Sequence, residues 1–330
     1  MPYNDPRIRR GPALQARMFQ AVFPAMRRLM YSSPKLQFST QVIAKPHTVT
    51  VPTRHGDLRS LVYAPTDDDI ARQSAAGLRP PVHLITHGGA FIIRVPEQED
   101  NVARYLASEI GAYVVIPDYD TAPHVRFPIA EEQSYDAYRW VCENAGRMGW
   151  DGRRVSVGGA SAGGKLALNV ALQAIDDGYQ VPVALSSEFG AADLTLPDES
   201  RTSDKPRPVV TPGLMKLVRQ TYFAGADLSS PLASPALHPR LADLPPTLIL
   251  TAGFDTLRHE SDALARDLAA KGVQVTHRQF PGVDHGFTHA KPVETAREAI
   301  TMLGRHLAAA YAATGIEHIP AAPTQEANPS

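Results

Sequence analysis

Ser161 stands at the centre of a Gly-x-Ser-x-Gly frame, Gly159 to Gly163, within the run Gly158-Gly159-Ala160-Ser161-Ala162-Gly163-Gly164. A serine on a sharp strand-to-helix turn needs small neighbours, because a Cβ on a flanking glycine would crowd the turn. Such a turn lifts the hydroxyl clear of the sheet and aims a helix N-terminus at charge developing beside it. The chemistry suggested is nucleophilic attack. By itself the frame is equally an ordinary glycine-rich turn, so partners elsewhere must supply the rest.

The first partner is a place for negative charge. Residues 82–86 are strand-like and run into His87-Gly88-Gly89-Ala90-Phe91. Two consecutive glycines at a strand end let backbone N–H groups converge. Those of Gly88 and Gly89, with that of Ala162, are the expected oxyanion donors. The other partners are Asp255, just past the strand-like residues 247–251, and His285, just past the strand at 273–280. Ser161, Asp255 and His285 occur in the chain order of an α/β-hydrolase triad. In that reading Asp255 orients His285, and His285 takes and returns the serine proton. Asp284 adjoins His285, but neighbouring side chains diverge. His259 and His277 read as a helix start and a strand residue, and His289 is the alternative base.

These residues need a scaffold that brings strand ends together. Residues 48–51 and 58–63 read as an opening hairpin turned by His55-Gly56-Asp57. Further strands are expected near 82–86, 113–117, 154–157, 181–186, 247–251 and 274–279, alternating with helical stretches such as 129–144. Alternation of this kind predicts a mostly parallel sheet with helices on both faces, and open sheets of that type place their chemistry at the carboxyl ends of the strands. Residues 191–238 break the rhythm with a polar, proline-rich stretch and then a helix-like run over 213–223.

The motifs together resemble the hormone-sensitive-lipase group of α/β-hydrolases, the family IV esterases. The residues carrying the resemblance are His87 to Phe91, Pro117-Asp118-Tyr119-Asp120-Thr121-Ala122-Pro123, Phe127-Pro128, Gly159 to Gly164, Pro231-Leu232-Ala233-Ser234-Pro235, Asp255 to Glu260, and His285-Gly286-Phe287. The resemblance implies an α/β-hydrolase fold: an eight-stranded, mostly parallel sheet with helices on both faces and a helical cap. Residues 1–45 would be an N-terminal cap arm, 46–190 the first part of the core and 191–238 the cap insertion. The second part of the core would span 239–316, and 317–330 would be a disordered tail. It implies hydrolysis of short to medium acyl esters through an acyl-enzyme, with rate rising as His285 loses its proton. Amides, lactones or carbamates are alternative substrates for the same triad. A ligand receptor on this fold is a more distant alternative, which the presence of His285 opposes.

Several positions depart from the family pattern. Ala90 replaces a glycine of the oxyanion loop, and Ala160 an acidic residue before the serine. Arg94-Val95 replaces Gly-Ser, Asp120 replaces an arginine, and Lys165 replaces an asparagine one turn beyond Ser161. A surface position is expected for Lys165. Arg94 suggests a preference for negatively charged or strongly polar esters. Phe91, Ile92, Ile93, Arg94, Leu214, Leu217 and Tyr222 are the candidate pocket lining.

Composition agrees with a globular enzyme: 330 residues, 43% hydrophobic, 20% charged, net charge -1. That charge gives no pull toward nucleic acid or anionic membrane. The single cysteine, Cys142, excludes an internal disulfide and reads as packing; with no apolar core after the N-terminal arginines, a cytoplasmic protein is expected. No zinc-type Cys/His spacing or phosphate loop appears, so neither metal nor cofactor is implied. A small-molecule ester is the expected partner, and a homodimer is compatible with it. No stretch is long and apolar enough to span a bilayer. Residues 13–30 form a basic amphipathic pattern, with Leu14, Met18, Val22, Met26 and Leu29 in register. A lid helix packed on the core is the favoured reading, with transient lipid contact the alternative.

Overall fold

The computed structural model describes residues 5–30 and 33–314; the expected disordered tail, the side chains beyond Phe23 in the first helix, and Met26 and Leu29 with them, lie outside the described residues. Eight strands form one sheet: β1 (His47–Thr53), β2 (Gly56–Tyr63), β3 (Val82–Thr86), β4 (Tyr113–Pro117), β5 (Val155–Ala160), β6 (Leu185–Glu188), β7 (Thr247–Ala252) and β8 (Val275–Phe280). Their spatial order is β1-β2-β4-β3-β5-β6-β7-β8. The pairings β1–β2 and β2–β4 are antiparallel, and all others are parallel.

Burial follows position in the sheet. Every residue of β3, β5 and β7 is buried, as expected of parallel strands covered on both faces. The edge strand β8 instead exposes most of its residues, His277 and Arg278 among them, which blunts it against pairing with another chain. The hairpin closes at the pair Thr53 and Gly56, where expected. β6 starts later than its sequence suggests, at Leu185.

The helices are α1 (Arg10–Met30), α2 (Asp67–Ala75), α3 (Asp100–Tyr105), α4 (Ile129–Glu143), α5 (Ala145–Met148), α6 (Ala162–Asp176), α7 (Pro212–Gln220), α8 (Arg258–Ala270) and α9 (Val293–Ala313). Apolar residues of α4, α6 and α8 form the core on one sheet face, and those of α3 and α9 the core on the other. Helix α6 is buried all round, Leu166, Leu168 and Val170 being inaccessible. No described helix is long and apolar enough to cross a membrane.

Helix α1 packs against α7, but not by the stripe that its sequence offers. Its buried face carries Ala13 and Ala16, while Leu14 is 63% and Met18 61% exposed. Small residues allow close approach, and Gln20 fixes the contact by donating to the carbonyls of Ile92 (2.8 Å) and Ala122 (2.9 Å). The helix lies on the body of the protein as expected, with Leu14, Met18 and Val22 outward.

Candidate functional site

At the end of β5 the chain must turn sharply into α6, and two glycines make this possible. A Cβ at Gly159 or Gly163 would overlap the carbonyl oxygen of Thr86 on the neighbouring strand. Ser161 sits between them at φ 59°, ψ -121°. A backbone of this kind costs roughly 1–3 kcal/mol. It is held by the Ser161 N–H donating to the Glu188 carbonyl (2.9 Å) and by Thr86 Oγ1 donating to the Gly163 carbonyl (2.7 Å).

The ends of β7 and β8 bring the other two residues to this serine. Asp255 is 1% exposed; its Oδ1 accepts the Leu257 N–H (3.0 Å), and its Oδ2 lies 2.7 Å from His285 Nδ1. His285 Nε2 lies 2.7 Å from Ser161 Oγ. An ionised carboxylate only accepts, so Nδ1 carries the proton and Nε2 turns a lone pair to the serine hydroxyl. The Phe189 ring meets the imidazole edge-on, 5.0 Å between centroids. This arrangement can draw a proton from Ser161 while keeping the positive charge beside a buried carboxylate.

The loop after β3 is fixed one peptide plane at a time. The His87 carbonyl accepts from Tyr119 Oη (2.7 Å), and the Gly88 N–H at the other end of that plane donates to Glu99 Oε1 (3.2 Å). The Gly88 carbonyl accepts from His87 Nδ1 (2.7 Å). The Gly89 carbonyl accepts the N–H groups of Ile92 (2.9 Å) and Ile93 (2.8 Å). In a planar trans peptide the N–H points away from its carbonyl. The Gly89 and Ala90 N–H groups are thereby set in direction, and among the described residues neither has a protein acceptor. Of the expected donors Gly88, Gly89 and Ala162, the Gly88 N–H is instead taken by Glu99, and Ala90 adds an unpaired N–H that the sequence does not reveal.

Ser161, His285 and this loop open into a cavity of about 180 Å³. Of the expected lining residues Phe91, Ile92, Ile93 and Leu214 face it, as do Gly88, Gly89 and Ala162. Helix α1 adds Phe19 and Phe23, and the segment around α7 adds Val209, Val210, Met215 and Val218. Polar groups are few: Gln98, Glu99 and His289.

Residues 83–289 match the family model described as alpha/beta hydrolase fold. The chain belongs to the α/β-hydrolase family. Its relatives place it in the hormone-sensitive-lipase-like branch. Carboxylesterase NlhH of Mycobacterium tuberculosis is 36% identical over 236 residues, 69% of this chain and 72% of that protein. Ethyl acetate hydrolase of Pseudomonas putida is 30% identical over 259 residues, 77% of this chain and 80% of that protein. The solved structure of the Pyrobaculum calidifontis esterase superposes with a TM-score of 0.80 at 33% identity, covering 89% of this chain and 93% of that one.

Within this α/β-hydrolase, three expected lining residues fall elsewhere. Arg94 turns to Asp118 (2.9 Å) and Asp120 (2.5 Å), so the substitutions at 94 and 120 pair with each other and leave no cation for a charged ester. Leu217 is core. Tyr222 is buried, its hydroxyl 2.5 Å from Glu131 Oε2 and its ring stacked on Phe91 at 4.7 Å. It supports the wall from behind.

Lys165 is not on the surface: it is completely buried, because the first turns of α6 lie wholly inside the protein. Its ammonium lies 2.7 Å from Glu131 Oε1, 2.7 Å from Asn169 Oδ1 and 2.8 Å from the Leu232 carbonyl. The rings of Phe91, Phe127 and Phe223 stand 5.6 to 5.9 Å from it. Burial pulls its pKa down, and Glu131 opposes that pull. The lysine ties the nucleophile helix to α4 and to the segment around α7.

The rival residues have other tasks. Asp284 binds Lys205 Nζ (2.9 Å) and the Val209 N–H (3.0 Å). His259 is exposed, and His277 pairs with Asp262 at 3.0 Å. His289 faces Glu99 at 3.4 Å. Burial pushes the Cys142 thiol up to about 12, so it is not a nucleophile at neutral pH. Among the described residues no cluster of metal-ligating side chains occurs.

Proposed function

We propose that this α/β-hydrolase is a serine carboxylic-ester hydrolase acting on short to medium acyl esters through an acyl-enzyme. The observation that carries the reading is the relay from Asp255 through His285 to Ser161, both links 2.7 Å, opening into an apolar cavity.

Ser161 Oγ attacks the ester carbonyl as His285 Nε2 takes its proton, and Asp255 stabilises the imidazolium. The carbonyl oxygen, now negative, is held by the N–H groups of Gly89, Ala90 and Ala162, the last at the N-terminus of α6. These donors are fixed before reaction, so no reorganisation is needed as charge develops. His285 returns the proton to the leaving alkoxide. Water then enters and gives a proton to His285 as its oxygen attacks the acyl carbon, and His285 returns that proton to Ser161 Oγ as the acid leaves.

The N-terminal arm (1–45) and the insertion (191–238) act as a cap on a two-part core (46–190 and 239–316), since Phe19, Phe23, Val210 and Leu214 from these segments wall the cavity. A cavity this small favours short chains over long ones. Purified protein assayed against p-nitrophenyl esters from two to sixteen carbons, alongside Ser161→Ala, is the test. Turnover peaking at short to medium chains and lost in the variant is expected. Wild-type protein inert on every ester would overturn the reading.

A further inference from the structure

One buried carboxylate borders the active-site cavity without a part in the chemistry above. Glu99 ends the short 3-10 turn Pro96–Glu99 and is 3% exposed. Its Oε1 accepts the Gly88 N–H (3.2 Å) and Gln98 Nε2 (3.2 Å). Its Oε2 lies 3.4 Å from His289 Nε2, and Thr288 Oγ1 lies 2.9 Å from the other ring nitrogen. Burial raises the carboxyl's pKa, but the His289 charge and the Gly88 N–H outweigh this and hold it below the ordinary range. His289 is the side chain that faces this carboxylate on the side away from Gly88.

We infer that Glu99 is a positioning residue: clamped against His289, its carboxylate fixes the Gly88 N–H and so turns the Gly89 N–H toward the carbonyl oxygen of the ester attacked by Ser161. The role rests on the esterase reading. Its structural root is the peptide between His87 and Gly88, held at one end by the Tyr119 hydroxyl and at the other by Glu99. Release of the Glu99 end lets that plane rotate about its flanking bonds. The next plane, which carries the Gly89 N–H, moves with it, because among the described residues its carbonyl is held only by the ring of His87 at the edge of the released plane, whereas the Ala90 plane keeps its tether to Ile92 and Ile93. Gly88 cannot resist through a side chain of its own. A Cβ there would come within 3.1 Å of the Ala160 carbonyl, so the loop has no bulk to wedge it.

The test compares Glu99→Leu, which removes the acceptor, with Glu99→Gln, which keeps an oxygen for the Gly88 N–H. In Glu99→Leu, kcat on p-nitrophenyl esters falls about a hundredfold, the usual loss for one misplaced oxyanion donor, with KM within about threefold. In Glu99→Gln, kcat stays within about tenfold. Amide hydrogen exchange over residues 87–93 accelerates in Glu99→Leu and stays near wild type in Glu99→Gln. Melting temperatures are recorded for both.

Three outcomes overturn the role: Glu99→Leu keeping kcat within about threefold, unchanged loop exchange, or equal losses in both variants that follow a lowered melting temperature. If wild-type protein hydrolyses no ester, the esterase reading falls by itself, while loop exchange still decides what Glu99 does.

Discussion

Two serine–histidine pairs lie at opposite ends of β5, and only one of them has the surroundings that the proposed chemistry needs. Ser156 lies inside β5 and Ser161 directly after it; each has a histidine nitrogen at 2.7 Å. Ser156 and its partner His83 are buried in the sheet, with Tyr311 Oη completing the cluster. Among the described residues no carboxylate touches His83, and burial pushes its pKa down to about 3. It stays neutral at any physiological pH and cannot hold a proton taken from serine. His285 differs through Asp255 at 2.7 Å, through a cavity on its serine side, and through unpaired N–H groups across that cavity. A serine–histidine hydrogen bond is therefore not an active site. Stabilised imidazolium, room for a substrate and donors for the oxyanion separate the two.

The largest effects should fall on one pair alone. Ser161→Ala is expected to lower kcat by about 10⁵ to 10⁶, measured on p-nitrophenyl butyrate. Ser156→Ala should leave kcat within about threefold and cost about 1–3 kcal/mol in urea unfolding, by stranding His83 and Tyr311. A large kcat loss in Ser156→Ala would break the distinction. Asp255→Asn should lower kcat by about 10⁴ with little change in KM, because Nδ1 then faces an amide in place of the charge that steadies the imidazolium. A loss of tenfold or less would mean that the carboxylate is not what sets the pairs apart.

How much of this contrast is visible without a structure depends on range. The elbow is legible because its glycines are a local steric demand, and Asp255 and His285 because each follows a strand of clear pattern. Residues 181–186 show the limit, where the strand begins only at Leu185. Lys165 and Arg94 were misplaced because their partners, Glu131 and the Asp118–Asp120 pair, are distant in sequence or read as a reversed charge. The donor at Ala90 was missed because the choice between Gly88 and Ala90 depends on which N–H Glu99 captures, and nothing in Pro-Glu-Gln-Glu-Asp distinguishes Glu99 from its neighbours. Leu14 and Met18 show a stripe with the right period but the wrong face, since the small residues Ala13 and Ala16 allow the closer contact.

Between the two pairs lies Glu188, which sharpens the contrast through stability. Its carbonyl holds the Ser161 N–H, and its carboxyl borders a small cavity shared with His83. Burial raises its pKa to about 8 from an ordinary value near 4.5. A carboxyl neutral in the fold and ionised when unfolded contributes stability that is complete below about pH 4.5. That contribution is lost as pH rises through about 8. Wild-type protein should therefore weaken relative to Glu188→Gln by a few kcal/mol between pH 5 and pH 8.5, as read from urea unfolding at each pH. A constant difference would mean that Glu188 is already ionised in the fold, with its charge balanced near Ser161.

The smallest expected effect is the most discriminating. If only the Asp255-supported histidine exchanges protons during turnover, the acid limb of kcat/KM is set without any contribution from His83. His83 is already neutral throughout that range, so removing it changes no charge. His83→Gln should give a pH profile that overlays the wild type, with kcat reduced by no more than about threefold through packing. A displaced limb would show that the two histidines communicate across β5. The buried pair would then be tuning the reactive one from behind the nucleophile strand, and the division between them would be one of degree.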